Sequence, residues 1–324
     1  MSTAVEIRRV THDYGSRRAL DAVEFTVDRG EIFALLGPNG GGKTTLFRLL
    51  STLIPLHGGE IRVLGFDVAR QTLDVRRRIG VVFQAPALDR KLTVAENLRH
   101  QGHLYGLAGT DLRRREDELL GVLSLADRRD DLVETLSGGL RRRVELAKGM
   151  LHHPQVLILD EPSTGLDPGA RRDLWDYLRR VRAEQGVTVV LTTHLLEEAD
   201  KADRLAILDA GRVVALDTPE KLRSEIGGDT IVIACDDSAA MLRGLRERLD
   251  LDASIIDGQV RLEHADAHRL VPQIVEAFPG AVRSVTLGKP TLEDVFIART
   301  GRRFADVEPA SAPQRRSAAA GGRR

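Results

Sequence analysis

The chain has 324 residues, enough for one catalytic domain with its own core and a second folded unit of less than about 100 residues. Its 48 lysines and arginines balance 48 aspartates and glutamates, which excludes a global field drawing it to nucleic acid or to an anionic membrane, so partner recognition must be local. The only cysteine, Cys235, excludes an internal disulfide and is expected as a small buried hydrophobe in a reducing cytosol, and residues 1–10 carry charges without the apolar core of a secretory signal.

In chain order, alternating apolar positions at 5–10 and 23–27 predict two half-buried antiparallel strands with a turn at Tyr14 and Gly15. The pattern then changes. Residues 32–36 are apolar without a break, as in a strand covered on both faces of an α/β sheet, and they enter a glycine-rich loop followed by a helix. Residues 93–150, rich in arginine and leucine at helical spacing, predict a helical subdomain inserted in the catalytic core. Residues 156–159 and 187–191 read as two more buried strands, each trailed by helical periodicity, so a mostly parallel sheet with crossover helices is expected. These runs fall far short of the ~20 residues of a membrane-spanning helix, so in any transport role another chain forms the pore.

After Gly227 and Gly228 the predicted order is a strand (230–235), a helix (239–249), two short strands around an Asp257 and Gly258 turn, a helix (265–278) and a strand (282–287). That order is the split βαβ pattern of a ferredoxin-like sandwich. A helix over 291–299 opens with Thr291 and Asp294 placed as a capping box, and the stretch beyond Gly301 is rich in Ala, Pro, Ser and Arg. The expected organisation is an α/β catalytic domain over 1–225, a small α+β domain over 229–300 and a disordered tail over 301–324.

Three motifs carry chemistry. Gly37, Pro38, Asn39, Gly40, Gly41, Gly42, Lys43 and Thr44 lie between a predicted strand and helix, the setting a phosphate-binding loop demands. Glycines let backbone N–H groups curl around phosphates, the helix points its positive end at them, Lys43 adds a charge and Thr44 offers a hydroxyl to Mg²⁺. Further on, the strand at 156–159 delivers Asp160 and Glu161 at its C-terminal end, where ligands of open sheets collect. Asp160 suits the Mg²⁺ shell, and Glu161 suits a general base that polarises the attacking water. Upstream of that pair, Leu136, Ser137, Gly138 and Gly139 begin a helix whose N-terminal amides can face an anion. Alone, Ser-Gly-Gly is only a helix cap.

Taken in this order, the motifs resemble the nucleotide-binding subunits of ABC transporters over roughly residues 4–222. The resemblance implies a P-loop NTPase core of the ABC ATPase kind, with antiparallel β and helical subdomains, that binds ATP and Mg²⁺ and hydrolyses ATP. It further implies that Tyr14 stacks on adenine and that Thr45 joins the nucleotide contacts. Gln84, after Val81, Val82 and Phe83, couples Mg²⁺ and water to the permease, Asp167 belongs to an inter-subunit loop, and His194, after Thr192 and Thr193, holds Glu161 and water in register. Lys43, Thr44, Gln84, Asp160, Glu161 and His194 of one subunit then hold MgATP while Ser137, Gly138 and Gly139 of a second copy close over its γ-phosphate. The partners so implied are a transmembrane permease and a second copy of the chain, at the cytoplasmic side of the membrane, without nucleic acid.

Two residues depart from the usual pattern. Leu140 stands where many members carry glutamine, as in drug-exporter types, and Gly41 replaces a more usual alanine or serine and is expected to loosen the loop by up to ~1 kcal/mol. The run Pro290, Thr291, Leu292, Glu293, Asp294, Val295, Phe296 resembles the C-terminal extension of ATPases serving bacterial drug and polysaccharide exporters. The arginine runs 76–78, 113–115 and 141–143 are read as solvated helix faces. A soluble ABC-type ATPase acting on nucleic acid or ribosomes is the main rival, and a nucleotide-binding regulatory domain without turnover is a third reading.

Overall fold

The structure, a computed structural model, describes residues 2–304. Strands β1 (Thr3–Tyr14) and β2 (Arg17–Asp28) form the expected antiparallel hairpin and bury Val5, Ile7, Val23 and Phe25. The chain then makes β3 (Ile32–Leu36), the glycine-rich loop and α1 (Lys43–Leu50), and returns through β4 (Gly58–Val63) and β5 (Phe66–Asp67) to complete a four-stranded antiparallel sheet in the order β2-β1-β4-β5. A short α2 (Thr72–Arg76) leads to β6 (Ile79–Val82), and a helical region follows as α3 (Val94–Leu104), α4 (Gly109–Val122) and α5 (Gly138–Met150).

The remaining core elements are β7 (Val156–Asp160), α6 (Pro168–Gln185), β8 (Thr188–Thr193), α7 (Leu196–Ala199), β9 (Arg204–Asp209), β10 (Arg212–Asp217) and α8 (Pro219–Ser224). With β3 and β6 they build a six-stranded sheet in the order β10-β9-β3-β8-β7-β6, parallel except for β10. Every residue of β3, β7 and β8 is buried, which is why residues 32–36 and 156–159 read as unbroken apolar runs. Each buried Val, Leu or Ile contributes roughly 1.5–3 kcal/mol relative to exposure. The same burial desolvates the strand ends, where the site residues stand.

The C-terminal part adds β11 (Asp229–Cys235), α9 (Ser238–Leu249), β12 (Ser254–Ile256), β13 (Gln259–His264), α10 (Ala267–Ala277) and β14 (Val282–Gly288). Its strands form an antiparallel sheet in the order β12-β13-β11-β14, with a core that includes Ile231, Ile233, Met241, Leu245, Val260 and Ile274. Helix α11 (Leu292–Thr300) opens with the Thr291 and Asp294 capping box. Leu292, Val295 and Phe296 pack into the same hydrophobic cluster as the ATPase-side Leu205, Ile207 and Leu222, so the helix returns the chain to the parallel sheet's side. Its opposite face is tied to the C-terminal sheet by a buried ion pair between Asp294 and Arg261 of β13.

The structure departs from the sequence reading in three places. Cys235 is only half-buried, because it is the last residue of β11, where its Sγ lies 3.7 Å from Ser238 Oγ at the start of α9. Arg302 pairs with Asp209 at 2.7 Å and Arg303 with Asp257 at 3.1 Å, so the first residues of the expected disordered tail make defined contacts, while residues 305–324 lie outside those described. Two arginines of the supposedly solvated runs are buried. Arg115 leaves 4% of its surface exposed and donates to the carbonyls of Met150 and Leu151 at 2.7 and 3.3 Å, capping the end of α5, and Arg142 is described below.

Candidate functional site

The phosphate loop is built by close approach. At Gly42, the cap of α1, φ is +109°, and an added Cβ would stand 2.7 Å from Ala19 O and 2.8 Å from Leu20 Cδ2. At Gly41 a Cβ would meet Leu208 O at 3.0 Å and Pro38 O at 3.1 Å. The close approach gives Gly41 a packing role that the sequence reading did not supply. Its N–H donates to Pro38 O at 3.1 Å and its carbonyl accepts Gly211 N–H at 3.0 Å, so the smallest residue lets the loop lie against β9 and its turn. Helix α1 has no acidic residue in its first turn and no side chain at its cap, leaving the positive helix end open to an anion.

Lys43 is 4% exposed, and its ammonium donates to Gly37 O at 2.7 Å and Pro38 O at 3.0 Å while lying 4.0 Å from Glu161 Oε1. Burial pushes its pKa down, partly offset by Glu161 and Asp160. Thr45 is buried beside it in α1, and Thr44 is half-buried. Tyr14 ends β1, exposed at 45% with its ring edge-on to His12 at 4.7 Å, and Arg17, three residues on, reaches Gly40 O at 3.5 Å. That contact brings the hairpin turn to the phosphate loop at Gly40.

Strand β7 ends in Asp160, and Glu161 follows with φ +43°, a left-handed conformation that side chains with a Cβ rarely adopt. Thr192 of β8 holds both: its hydroxyl donates to Asp160 Oδ1 at 2.6 Å and accepts Glu161 N–H at 2.9 Å. Burial pushes the Asp160 carboxyl above its ordinary range, against the pull of the Thr192 hydroxyl. Glu161, 7% exposed, receives Gln84 Nε2 at 3.0 Å and Thr164 Oγ1 at 3.1 Å on Oε2. His194 Nδ1 stands 3.2 Å from the same oxygen without hydrogen-bond geometry.

The structure thus brings Lys43, Gln84, Asp160, Glu161 and His194 to one place at the ends of β3, β6, β7 and β8. Ser137 caps α5 by accepting Leu140 N–H at 3.3 Å, and both Ser137 and Gly138 face solvent. Among the described residues, no hydrogen bond or ion pair joins Ser137, Gly138 or Gly139 to the phosphate loop of the same chain. Asp167, exposed, caps α6 by accepting the N–H groups of Gly169 and Ala170 at 2.9 and 3.0 Å, and these bonds hold its carboxyl below the usual range. Sequence reasoning missed Thr164 and Thr192 as partners of the acids, although threonines among the aliphatic residues of β8 (Thr188, Thr192 and Thr193) were a readable sign of internal acceptors.

The donor set fits MgATP. An added Cβ at Gly37, Gly41 or Gly42 would press on Leu208 O or Ala19 O, so the loop stays bare of side chains before the open helix N-terminus, and Asp160, Thr44 and Gln84 offer the oxygen ligands that Mg²⁺ prefers.

The family described as ABC transporter matches residues 20–164. The daunorubicin resistance ATP-binding protein DrrA2 of Streptomyces coeruleorubidus is 41% identical over 318 residues, covering 94% of this chain and 97% of that protein. A solved structure described as the ATP-binding subunit of an ABC transporter is 32% identical with a TM-score of 0.63, over 69% of this chain and 93% of the other. A dimeric ATP-binding cassette in a post-hydrolysis state with ADP and Pi is 27% identical with a TM-score of 0.61, over 66% of this chain and 98% of the other.

Proposed function

Because the chain belongs to the ATP-binding subunits of the ABC transporter family, in the drug-exporter branch, we propose that it drives a separate export permease by closing head to tail on a second copy of itself around ATP. The chain is an ATPase. The observation that carries the proposal is the convergence on Glu161, whose carboxylate lies among Gln84, Thr164 and His194 and 4.0 Å from the ammonium of Lys43 at the mouth of the phosphate loop.

In this reading the loop amides from Gly37 to Gly42, with Thr45 at the helix start, bind the phosphates, Lys43 turns its ammonium from loop carbonyls to them, and Tyr14 carries the adenine. Asp160, Thr44 and Gln84 hold Mg²⁺, which when bound draws charge off the phosphate oxygens. Glu161 accepts the proton of the attacking water, and Gln84 and His194 fix the angle of its carboxylate. Ser137, Gly138 and Gly139, solvent-facing and apart from their own loop, present amides to the γ-phosphate on the second copy, and Asp167 lines the seam between copies. Loss of that phosphate removes the charge both sides grip, and the interface opens.

We place the permease at a cleft of about 390 Å³ beside the Gln84 segment, lined by Leu53, Arg76, Phe83, Tyr105 and Lys148. Among the described residues no helix is long and apolar enough to cross a membrane, so membrane contact at the cytoplasmic face comes through that partner. The C-terminal sheet with α9 and α10 is read as a ferredoxin-like accessory domain. The test is Glu161→Gln. Turnover is expected to fall by about 10²–10⁴-fold, and light scattering with saturating MgATP is expected to find a dimer. Unchanged phosphate release removes Glu161 from the base role, and a monomer removes the two-copy reading.

A further inference from the structure

One turn beyond Ser137, α5 sends Arg142 inward, where 8% of it remains exposed. All five N–H bonds of its guanidinium find acceptors. Nε donates to Pro162 O at 2.6 Å, Nη1 to Phe83 O at 2.6 Å and Glu145 Oε2 at 2.8 Å, and Nη2 to Asp160 O at 3.3 Å and Glu161 O at 3.2 Å. Glu145, buried one turn further along, accepts Ala87 N–H through its other oxygen at 2.8 Å. Phe83 precedes Gln84 and Ala87 follows it, so both ends of the segment carrying Gln84 hang on one buried ion pair. A cap on a single helix end needs only neighbouring carbonyls. These acceptors come from two separate segments, and each segment carries a residue of the site.

We infer that Arg142, with Glu145, is a positioning residue that couples the two sides of the chain: the Gln84 and Glu161 segments, which face its own ATP, and the Ser137 helix start, which faces the ATP of the second copy. The inference rests on the two-copy reading above. A helix moves as a unit, so a shift of the Glu161 or Gln84 backbone is passed through Arg142 to Ser137. The same guanidinium, with Thr192, holds Glu161 in its left-handed backbone conformation. Hydrolysis at one site is thereby felt at the other.

The test uses the full chain. Arg142→Lys keeps the charge beside Glu145, but its three N–H bonds radiate from one atom and cannot span both segments. The KM for ATP is expected to stay within about threefold while kcat falls by about tenfold or more, since binding is left in place and alignment is lost. The double variant Arg142→Gln with Glu145→Gln leaves no unpaired buried charge and gives the same readout should the lysine variant fail to fold. Wild-type kcat in either folded variant, or a rise in KM alone, overturns the inference. A second measurement separates it from the reading it rests on. With Arg142 intact, Glu161→Gln is expected to dimerise on MgATP, and adding Arg142→Lys is expected to weaken that dimer about tenfold or more. No dimer in the first protein overturns the two-copy reading, and equal dimers in both overturn only the role of Arg142.

Discussion

In β7 all five residues from Val156 to Asp160 are buried, whereas in β14 none of the seven from Val282 to Gly288 is. The first strand lies inside a parallel sheet with helices on both faces, and the second is an edge strand of an antiparallel sheet packed on one face by α9 and α10. The difference explains where chemistry can sit. A strand end walled off from water on both sides strengthens every charge placed there, and Lys43, Asp160 and Glu161 are each below 10% exposed and mutually compensated. The C-terminal sheet has no such desolvated end. Its buried ion pair, Arg261 with Asp294, lies at the junction with α11 and ties elements together.

The comparison is sharpened most by removing the buried charge that burial itself disfavours. On the proposed reading, Lys43→Met is expected to lower kcat/KM for ATP by about 10²–10³-fold or more, because the phosphates would lose the ammonium of Lys43. Its melting temperature is expected to hold or rise, since the ammonium is desolvated and its pKa is pushed down by burial. Steady-state phosphate release and a thermal melt check the two halves, and a melt lowered by several degrees would break the claim that this end of the sheet serves chemistry at the expense of stability.

How much of this was legible follows from the same contrast. Residues 32–36 and 156–159 read correctly as doubly covered strands because continuous apolar runs have no other economical place, and the loop and acid pair were found by their position at those strand ends. The strands around Asp257 and Gly258 were legible from alternation and a turn dipeptide, Asp257 taking φ +52° as that turn requires. Arg142 was not legible. Its burial depends on carbonyls 18 to 59 residues away, and an arginine triplet on a helix carries no local sign of which member turns inward. The packing of α11 was hidden for the same reason: the capping box announced a helix, but which surface Leu292, Val295 and Phe296 cover is set by contacts made far along the chain.

The next largest effect is expected where the two regions meet. Phe296 is fully buried in the ATPase-side cluster, so Phe296→Ala should cost about 3–5 kcal/mol, or about 10 °C in melting temperature. Trp175, the single tryptophan, is buried in α6 of the ATPase side and reports that region alone. Its fluorescence transition is expected to fall with the far-UV circular dichroism transition. If Trp175 melts at the wild-type temperature in this variant, α11 is only an appendage of the C-terminal sheet and the two regions are independent.

The smallest expected effect is a dependence on acid confined to the ATPase side. His152, just past α5, stacks on Tyr105 at 3.7 Å and donates from Nε2 to Ile79 O at 2.9 Å, while its buried Nδ1 has no hydrogen-bond partner among the described residues. Burial pushes its pKa down, and the bond to Ile79 only partly opposes that. The sign follows from linkage: the unfolded chain takes up this proton near pH 6.5 while the folded chain does not, so the stability is present above about 6.5 and is lost as the pH falls towards the folded value. Urea midpoints followed by Trp175 fluorescence between pH 7.5 and 5.5 should therefore decline, and His152→Gln, which can still donate to Ile79 O, should flatten that decline. An equal decline in the variant would place the acid sensitivity elsewhere and deny this buried ring a part in it.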